Sequence, residues 1–305
     1  MSIAPNTHDG TAAYRRGVIL VLLAGVCWSL MGLGIRLIET ASVWQILFYR
    51  SLSLAPFLLL VITLRGNGGP FRAIRAAGIS GVVGGGALVV AFFGAIFSIQ
   101  TTTVANAMFL FAAAPFMAAA LGIVFLREPV RRATWIAMTV AVIGVAVMVT
   151  GGIAVGRWVG NAVALLSSLG FATFTIALRW KKKEDMMPAV LLAGLFSIAV
   201  AGTVCVATDQ SFFLPARDIA IALSLGVVQV GAGLVLYTVG SKAIPAGELA
   251  LLSMGEVVLA PLWVWVFLSE TASQYTLAGG AILLMALAGN AISGMRRKPL
   301  PVTVS

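Results

Sequence analysis

Long apolar runs alternate with short polar connections along nearly the whole chain. Each run is close to the roughly 20 apolar residues that a helix needs to cross ~30 Å of hydrocarbon. The runs are continuous and do not alternate residue by residue, so they predict helices and not the strands of a membrane β-barrel. Ten spans are predicted, numbered one to ten in chain order, at approximately residues 17–35, 43–64, 73–98, 104–126, 133–150, 158–179, 188–207, 219–240, 247–268 and 275–294.

The composition agrees with an all-α membrane protein. Of the 305 residues, 60% are hydrophobic and only 10% are charged, with a mean hydropathy of +1.05. A water-soluble domain carries roughly 25% charged residues, so too little polar surface exists here to cover a soluble core. The spans occupy most of the chain and leave no room for a separate soluble domain.

The net charge of +10 reflects the placement of basic residues between the spans. If both termini lie in the cytoplasm, 16 of the 20 lysines and arginines fall on the cytoplasmic side. Three fall outside, at Arg36, Arg157 and Arg217, and Arg50 lies within span two. Retention of positive loops in the cytoplasm explains this bias. The charge therefore predicts an orientation in the lipid bilayer, and we expect no nucleic-acid partner.

The chain contains an internal repeat of five spans. Phe125-Leu126-Arg127-Glu128 ends span four, and Phe267-Leu268-Ser269-Glu270 ends span nine, at an offset of 142 residues. Trp28 with Arg36 in span one corresponds to Phe171 with Arg179 in span six, at an offset of 143. Five is an odd number, so the copies are inverted, which predicts a binding site near the midplane and transport by alternating access.

We therefore expect two repeats, at residues 17–150 and 158–294. Cytoplasmic tails at residues 1–16 and 295–305 are predicted to flank them.

The chain resembles the drug/metabolite transporter superfamily, in its ten-span form with two EamA domains. The resemblance rests on the matched aromatic residues of spans one and six, Phe48-Tyr49-Arg50 in span two, Pro115 followed by Glu128, and Glu256 followed by Glu270. Within the superfamily, bacterial amino-acid exporters of the YddG type are the nearest match.

The resemblance implies a secondary transporter of the bacterial inner membrane that exports small metabolites by alternating access. Amino acids are the first expectation for the substrate. Vitamins, nucleosides, sugars and organic cations are the alternatives, since the superfamily contains carriers for each of them.

Span nine departs from the family pattern. The family commonly has Glu-Pro in this span, whereas the chain has Gly255-Glu256-Val257 and then Pro261. We expect the kink of this helix to shift by about one turn.

Glu256 is the most informative candidate residue, because it lies deep within span nine. An ionisable group at such a depth costs at least ~2.5 kcal/mol and suggests a function. It is expected either to contact a substrate amine or to bind a proton for coupling. The alternative is a structural carboxyl that is hydrogen-bonded to a neighbouring helix.

Arg50 is the basic residue that lies inside a span. A guanidinium group binds a carboxylate through two parallel hydrogen bonds, so Arg50 is a candidate for a substrate carboxylate. The alternatives are an ion pair with an acid such as Glu39, or an extended side chain that reaches outward to the membrane interface.

Trp28 and Phe171 occupy equivalent positions on the opening helices of the two repeats. Their rings are candidates for stacking on a substrate or covering an ammonium group, and ordinary helix packing is the alternative. The remaining candidates are uncharged polar residues that either contact the substrate or hydrogen-bond between helices for roughly 0.6 kcal/mol each. They are Ser29, Asn106, Thr175, Gln229 and Tyr237. Glu128 and Glu270 are expected to be structural, as helix caps or partners of arginines.

Other classes of protein fit less well. The sequence has no GxxxxGK[ST] motif for ATP, so the energy for transport would come from the gradient of the substrate or of an ion. No histidine or paired carboxylates occur in a span, so an enzyme is not expected. Neither a cofactor nor a metal is expected. A channel is disfavoured by the inverted repeat.

Overall fold

The computed structural model describes residues 7–65, 69–153, 157–181 and 185–295. Within these ranges the chain is helical and contains no strand, and ten helices are long and apolar enough to cross a membrane. The predicted all-α fold with ten spans is therefore confirmed. Parts of both predicted tails, residues 1–6 and 296–305, lie outside the described residues, as do two of the predicted cytoplasmic lysines, Lys182 and Lys183.

The helices of the first repeat follow the predicted spans closely. Span one begins at Thr7, which is earlier than the predicted start at residue 17. The bounds are Thr7–Arg36 for span one, Val43–Leu64 for span two, Gly69–Thr101 for span three, Val104–Phe111 and Ala114–Leu126 for span four, and Arg132–Ile153 for span five.

The second repeat contains one segment of unusual helical geometry, a π-helix in span eight. The bounds are Trp158–Trp180 for span six, Met187–Ala207 for span seven, Ala216–Ser224, the π-helix Leu225–Ala232, Gly233–Gly240 and the 3₁₀ turn Ser241–Ala243 for span eight, Ala246–Ser253 and Gly255–Leu268 for span nine, and Gln274–Met295 for span ten.

Spans four and nine are both broken at matching positions. Span four is interrupted after Phe111, and Pro115 lies in the first turn of its second helix, where the missing N–H of proline is tolerated. Span nine is interrupted at Met254, 142 residues after Ala112. Pro261 instead lies inside a continuous helix. The expected shift of the kink is therefore wrong, because the break follows the repeat and not the proline.

The opening helix of each repeat packs against the other repeat. Span one packs against spans eight and nine, and span six packs against spans three and four. We call spans one, eight and nine the first bundle, and spans three, four and six the second bundle. Spans two and seven pack against each other between the bundles, and spans five and ten form a separate pair.

Glycines allow these helices to approach closely. A Cβ atom on Gly240 of span eight would lie 2.8 Å from the Gly17 carbonyl oxygen of span one. A Cβ atom on Gly170 of span six would lie 2.7 Å from the Ala87 carbonyl oxygen of span three. Small residues are common at helix contacts in lipid, where no hydrophobic force pulls helices together. Glycines in both repeats thus allow the opening helix of one repeat to pack closely against the other repeat.

Gly279→Ala is expected to weaken the contact between spans five and ten. A Cβ atom at Gly279 would lie 2.4 Å from the Gly144 carbonyl oxygen, so the two backbones must separate. We expect the free energy of unfolding to fall by ~1–3 kcal/mol, measured as a lower thermal midpoint in detergent micelles. Gly289→Ala in the same helix is the control, because a Cβ atom there meets nothing within 4 Å. Equal midpoints for the two variants would contradict this packing.

Candidate functional site

Four side chains from the first bundle meet near the middle of the spans. The rings of Trp28 and Tyr237 lie 5.2 Å apart between centroids, at 43°. The Tyr237 hydroxyl lies near Ser253 and within electrostatic range of Glu256. We call Trp28, Tyr237, Ser253 and Glu256 the central cluster. Three of the four were predicted from the sequence, and Ser253 was missed because a serine in an apolar helix carries no distinctive signal.

Glu256 has no charged partner in this cluster. The described residues form three ion pairs, and Glu256 belongs to none of them. It lies in the first turn of the second helix of span nine, directly after the break at Met254. Carriers with inverted repeats commonly place half-helix ends at the substrate site. The N-terminal end of a helix favours the charged form of a carboxylate, and a carboxylate outside the ion pairs of the described residues is available to bind a cation.

Ser29 connects spans one and nine. Its side chain is buried, and its hydroxyl donates to the Val26 carbonyl oxygen at 2.7 Å. The Ser29 Oγ atom also accepts a hydrogen bond from the Trp263 indole nitrogen at 2.9 Å. The structure therefore favours the helix-packing alternative for Ser29. Trp263 was missed, since its apolar surroundings in the sequence indicate only lipid contact.

Asn106 joins three spans near the predicted outer end of the bundle. Its Nδ2 donates to Thr102 Oγ1 at 3.2 Å and also to Asn161 Oδ1 of span six. Its Oδ1 accepts a hydrogen bond from Thr276 of span ten at 3.3 Å. These bonds favour a structural role for Asn106. Asn161 and Thr276 were missed, because polar residues occur at many span ends and their spacing does not identify partners.

Phe171 and Thr175 make their contacts within span six. The Phe171 ring is half-exposed and packs against Phe174 of the same helix. The Thr175 hydroxyl donates to the Phe171 carbonyl oxygen at 3.0 Å. The structure thus brings Trp28 and Tyr237 to Glu256, while the repeat-related Phe171 makes its ring contact elsewhere.

Gln229 lies in the π-helix of span eight. Its side chain is buried, and its Oε1 has no hydrogen-bond partner among the described residues. Leu225 and Gly233 lie four residues before and after it, and both contact span one, at Gly34 and Trp28. Gln229 therefore lies on the face of span eight that meets span one. Single π-helical turns occur frequently at functional sites.

A charged contact closes the end of the molecule that is predicted to face outward. Arg36 of span one pairs with Glu270 of span nine at 2.8 Å. Arg36 also donates to the Thr102 carbonyl oxygen at 2.5 Å, and Glu270 accepts the backbone N–H of Val104 at 2.6 Å. We call these four residues the outer latch. The latch joins the first bundle to the corner between spans three and four of the second bundle.

The repeat supplies a matching pair at the opposite face. Arg179 of span six pairs with Glu128, which follows span four. We call these two residues the inner pair. In the part of the chain that the structure describes, the inner pair makes no hydrogen bond to spans eight or nine. Its side chains are 47% and 37% exposed, compared with 26% and 19% for Arg36 and Glu270. Glu128 and Glu270 thus pair with arginines, as expected.

The structure supports neither of the two structural alternatives for Arg50, the ion pair with Glu39 and the side chain that reaches the membrane interface. Glu39 pairs with Arg217 and not with Arg50. Arg50 is only 3% exposed, so its side chain does not reach the membrane interface. Both alternatives are wrong, because the chain folds Glu39 toward the start of span eight and Arg50 into the protein interior.

The described residues contain no group of three or more His, Cys, Asp or Glu side chains that could hold a metal ion.

The ten spans, the inverted repeat and the central cluster define the class of membrane transporters built from two five-helix repeats. The model of the EamA-like transporter family matches residues 15–150 and 158–292. The chain belongs to this family.

Named relatives share nearly the full length of the chain. A pseudopaline exporter, CntI, of Pseudomonas aeruginosa is 28% identical over 284 residues, which cover 89% of this chain and 94% of that protein. An uncharacterized transporter of Helicobacter pylori is 24% identical over 281 residues, with 88% and 92% covered. A solved crystal structure with 17% identity has a TM-score of 0.67 and covers 93% of this chain and 100% of that chain, which shows a shared fold.

Asn106→Ala is expected to lower stability. The change leaves Asn161 and Thr276 without their shared partner in a buried site, which costs ~1–3 kcal/mol. Thermal unfolding in detergent micelles measures the loss. Thr139→Ala is the matched control, because Thr139 is exposed and bonds only within its own helix. If both variants unfold at the same temperature, the network does not stabilise the bundle.

Proposed function

We propose that this protein exports small metabolites, amino acids in the first place, across the bacterial inner membrane by alternating access. The observation that carries the proposal is a difference between two ion pairs that the inverted repeat relates, one in the outer latch and one in the inner pair. The outer latch connects the bundles, whereas the inner pair joins spans four and six within one bundle.

Alternating access explains this difference between the two faces. An inverted repeat allows one set of contacts to form while its counterpart is released. The repeat offset relates Thr102 and Val104 to Ile244 and Ala246, at the corner between spans eight and nine. We expect the inner pair to engage this second corner when the outer latch opens. The present structure then corresponds to the state that is closed toward the outside.

The central cluster supports a substrate with an amino group. The unpaired Glu256 supplies a negative charge, and Trp28 and Tyr237 supply aromatic faces beside it. A carboxylate and aromatic rings together recognise ammonium groups. The name of one relative, a pseudopaline exporter, supports transport in the outward direction.

Glu256→Gln is expected to lower counterflow of amino acids at least tenfold. The variant keeps the shape of the side chain and removes its charge, so the ammonium group loses its partner; a buried charged hydrogen bond is worth roughly this factor or more. The measurement is exchange of labelled amino acids in proteoliposomes. Glu248→Gln is the control, because Glu248 lies at the start of span nine and bonds Tyr14 outside the cluster.

Two results would contradict the proposal, and a third would exclude one role of Glu256. Linear flux that does not saturate and shows no counterflow would indicate a channel. If the protein exchanges a vitamin, nucleoside, sugar or organic cation and no amino acid, then the substrate belongs to that class and not to the amino acids. If transport depends on pH in the wild type and equally in Glu256→Gln, then Glu256 is not the site of proton coupling.

Glu270→Ala is expected to open the outer face. The variant removes the ion pair with Arg36 and the acceptor for the Val104 N–H. The reporter is a cysteine in place of Ala105, a buried residue beside Val104, in a chain whose native Cys27 and Cys205 are replaced by alanine. We expect a membrane-impermeant maleimide to label this cysteine several-fold faster in whole cells.

Glu128→Ala is the control that the repeat provides. It removes the inner pair and leaves the outer latch intact, so labelling at position 105 should not increase. Equal acceleration by both variants would show general loosening of the bundle, and the assignment of the outer latch would then fail.

A further inference from the structure

Arg50 lies where three spans meet between the two bundles. Its guanidinium carbon lies 4.5 Å from the centre of the Phe92 ring on span three. Its backbone faces span eight, since a Cβ atom on Gly226 would lie 2.1 Å from the Arg50 carbonyl oxygen. Span three belongs to the second bundle and span eight to the first. Arg50 is therefore at the boundary that must change when the bundles move relative to each other.

The positive charge of Arg50 has no counterpart in the described residues. Its Nε and Nη1 atoms are buried without a hydrogen-bond partner. Three of the four acids near the same membrane face are already engaged: Glu39 with Arg217, Glu270 with Arg36, and Asp218 with Thr40. The fourth, Asp209, follows span seven and forms none of the ion pairs of the described residues. A buried charge with no partner is strongly destabilising, and the contact with Phe92 offsets only part of this cost.

The face of span two that carries Arg50 contacts the beginning of the π-helix of span eight. Ser53, one turn after Arg50, donates to the Leu223 carbonyl oxygen of span eight. Gln229 of the π-helix faces span one within the first bundle, and its buried Oε1 also has no hydrogen-bond partner among the described residues. The π-helix therefore has Arg50 beside one face and an unpaired polar atom on the face toward span one.

We propose that Arg50 binds the carboxylate of the transported substrate at the boundary between the bundles. The guanidinium group offers two parallel N–H donors, which match the two oxygens of a carboxylate, and Phe92 fixes the plane of the group. This inference rests on the proposed carrier function and makes it more specific. Glu256 binds the amino group of the substrate at the central cluster, and Arg50 binds the carboxylate at a separate point, in the outer half of the path.

Arg50→Met is the decisive variant. Methionine fills most of the same space without a charge, so the purified protein should unfold at the same or a higher temperature than the wild type. Counterflow of labelled amino acids should fall on the order of a hundredfold. Arg50→Lys should keep the charge, lose the paired donors and show an intermediate loss. A lower unfolding temperature for Arg50→Met, or undiminished counterflow, would overturn the proposal, because Arg50 would then hold the helices together or play no part.

A binding measurement separates this proposal from the proposed function. Sodium acetate should raise the unfolding temperature of the wild type more than sodium chloride at equal ionic strength, and acetamide should not. The acetate effect should disappear in Arg50→Met and persist in Glu256→Gln. If acetate acts equally on the wild type and Arg50→Met, the carboxylate site is wrong. If acetate binds through Arg50 but no amino acid exchanges, the carboxylate site stands and the substrate class of the proposed function falls.

Discussion

The hydrocarbon interior of a membrane provides no hydrogen-bond partners, so every polar group within the spans must find its partner inside the protein. Most of this chain obeys that constraint. Ser29 is bonded to Trp263, and Asn106 is bonded to Asn161 and Thr276. Arg50 and Gln229 do not obey it. Ser51, Ser197 and the Nδ2 atom of Asn161 are also unpaired. Arg50 is the charged residue among these described groups, so it is the point where a polar substrate would best supply the missing partner.

The opening helix of each repeat packs against helices of the other repeat, and this packing determines the units that would move in the proposed transport. Glycine contacts and an ion pair attach span one to spans eight and nine, and similar contacts attach span six to spans three and four. In the proposed alternating access the moving units would therefore be mixed bundles and not the repeats themselves. This arrangement places Arg50 between the units and the central cluster within one of them. A substrate that passes from the central cluster to Arg50 would therefore cross the boundary between the bundles.

The sequence predicts the spans and the inverted repeat well, because long apolar runs have few alternative structures. Glu256 and Tyr237 were also predicted to belong to the site, and the structure brings them together. The pairing of Arg50 with Glu39 was wrong, since short separation along the chain does not determine contacts between helices. The π-helix of span eight and the partner Asn161 were not predicted either, because both depend on how neighbouring helices pack.

Because the opening helix of each repeat packs against the other repeat, the two matching ion pairs form at different times during membrane insertion. Glu128 is synthesised before its partner Arg179, so that ion pair forms as soon as span six enters the bilayer. Arg36 must wait for Glu270, which follows 234 residues later, a delay of roughly ten to fifty seconds at typical rates of synthesis. During this time span one has neither of its neighbouring helices, although its glycine surface is already in lipid. The two repeats therefore have the same ion pair in space but complete it at different times during synthesis.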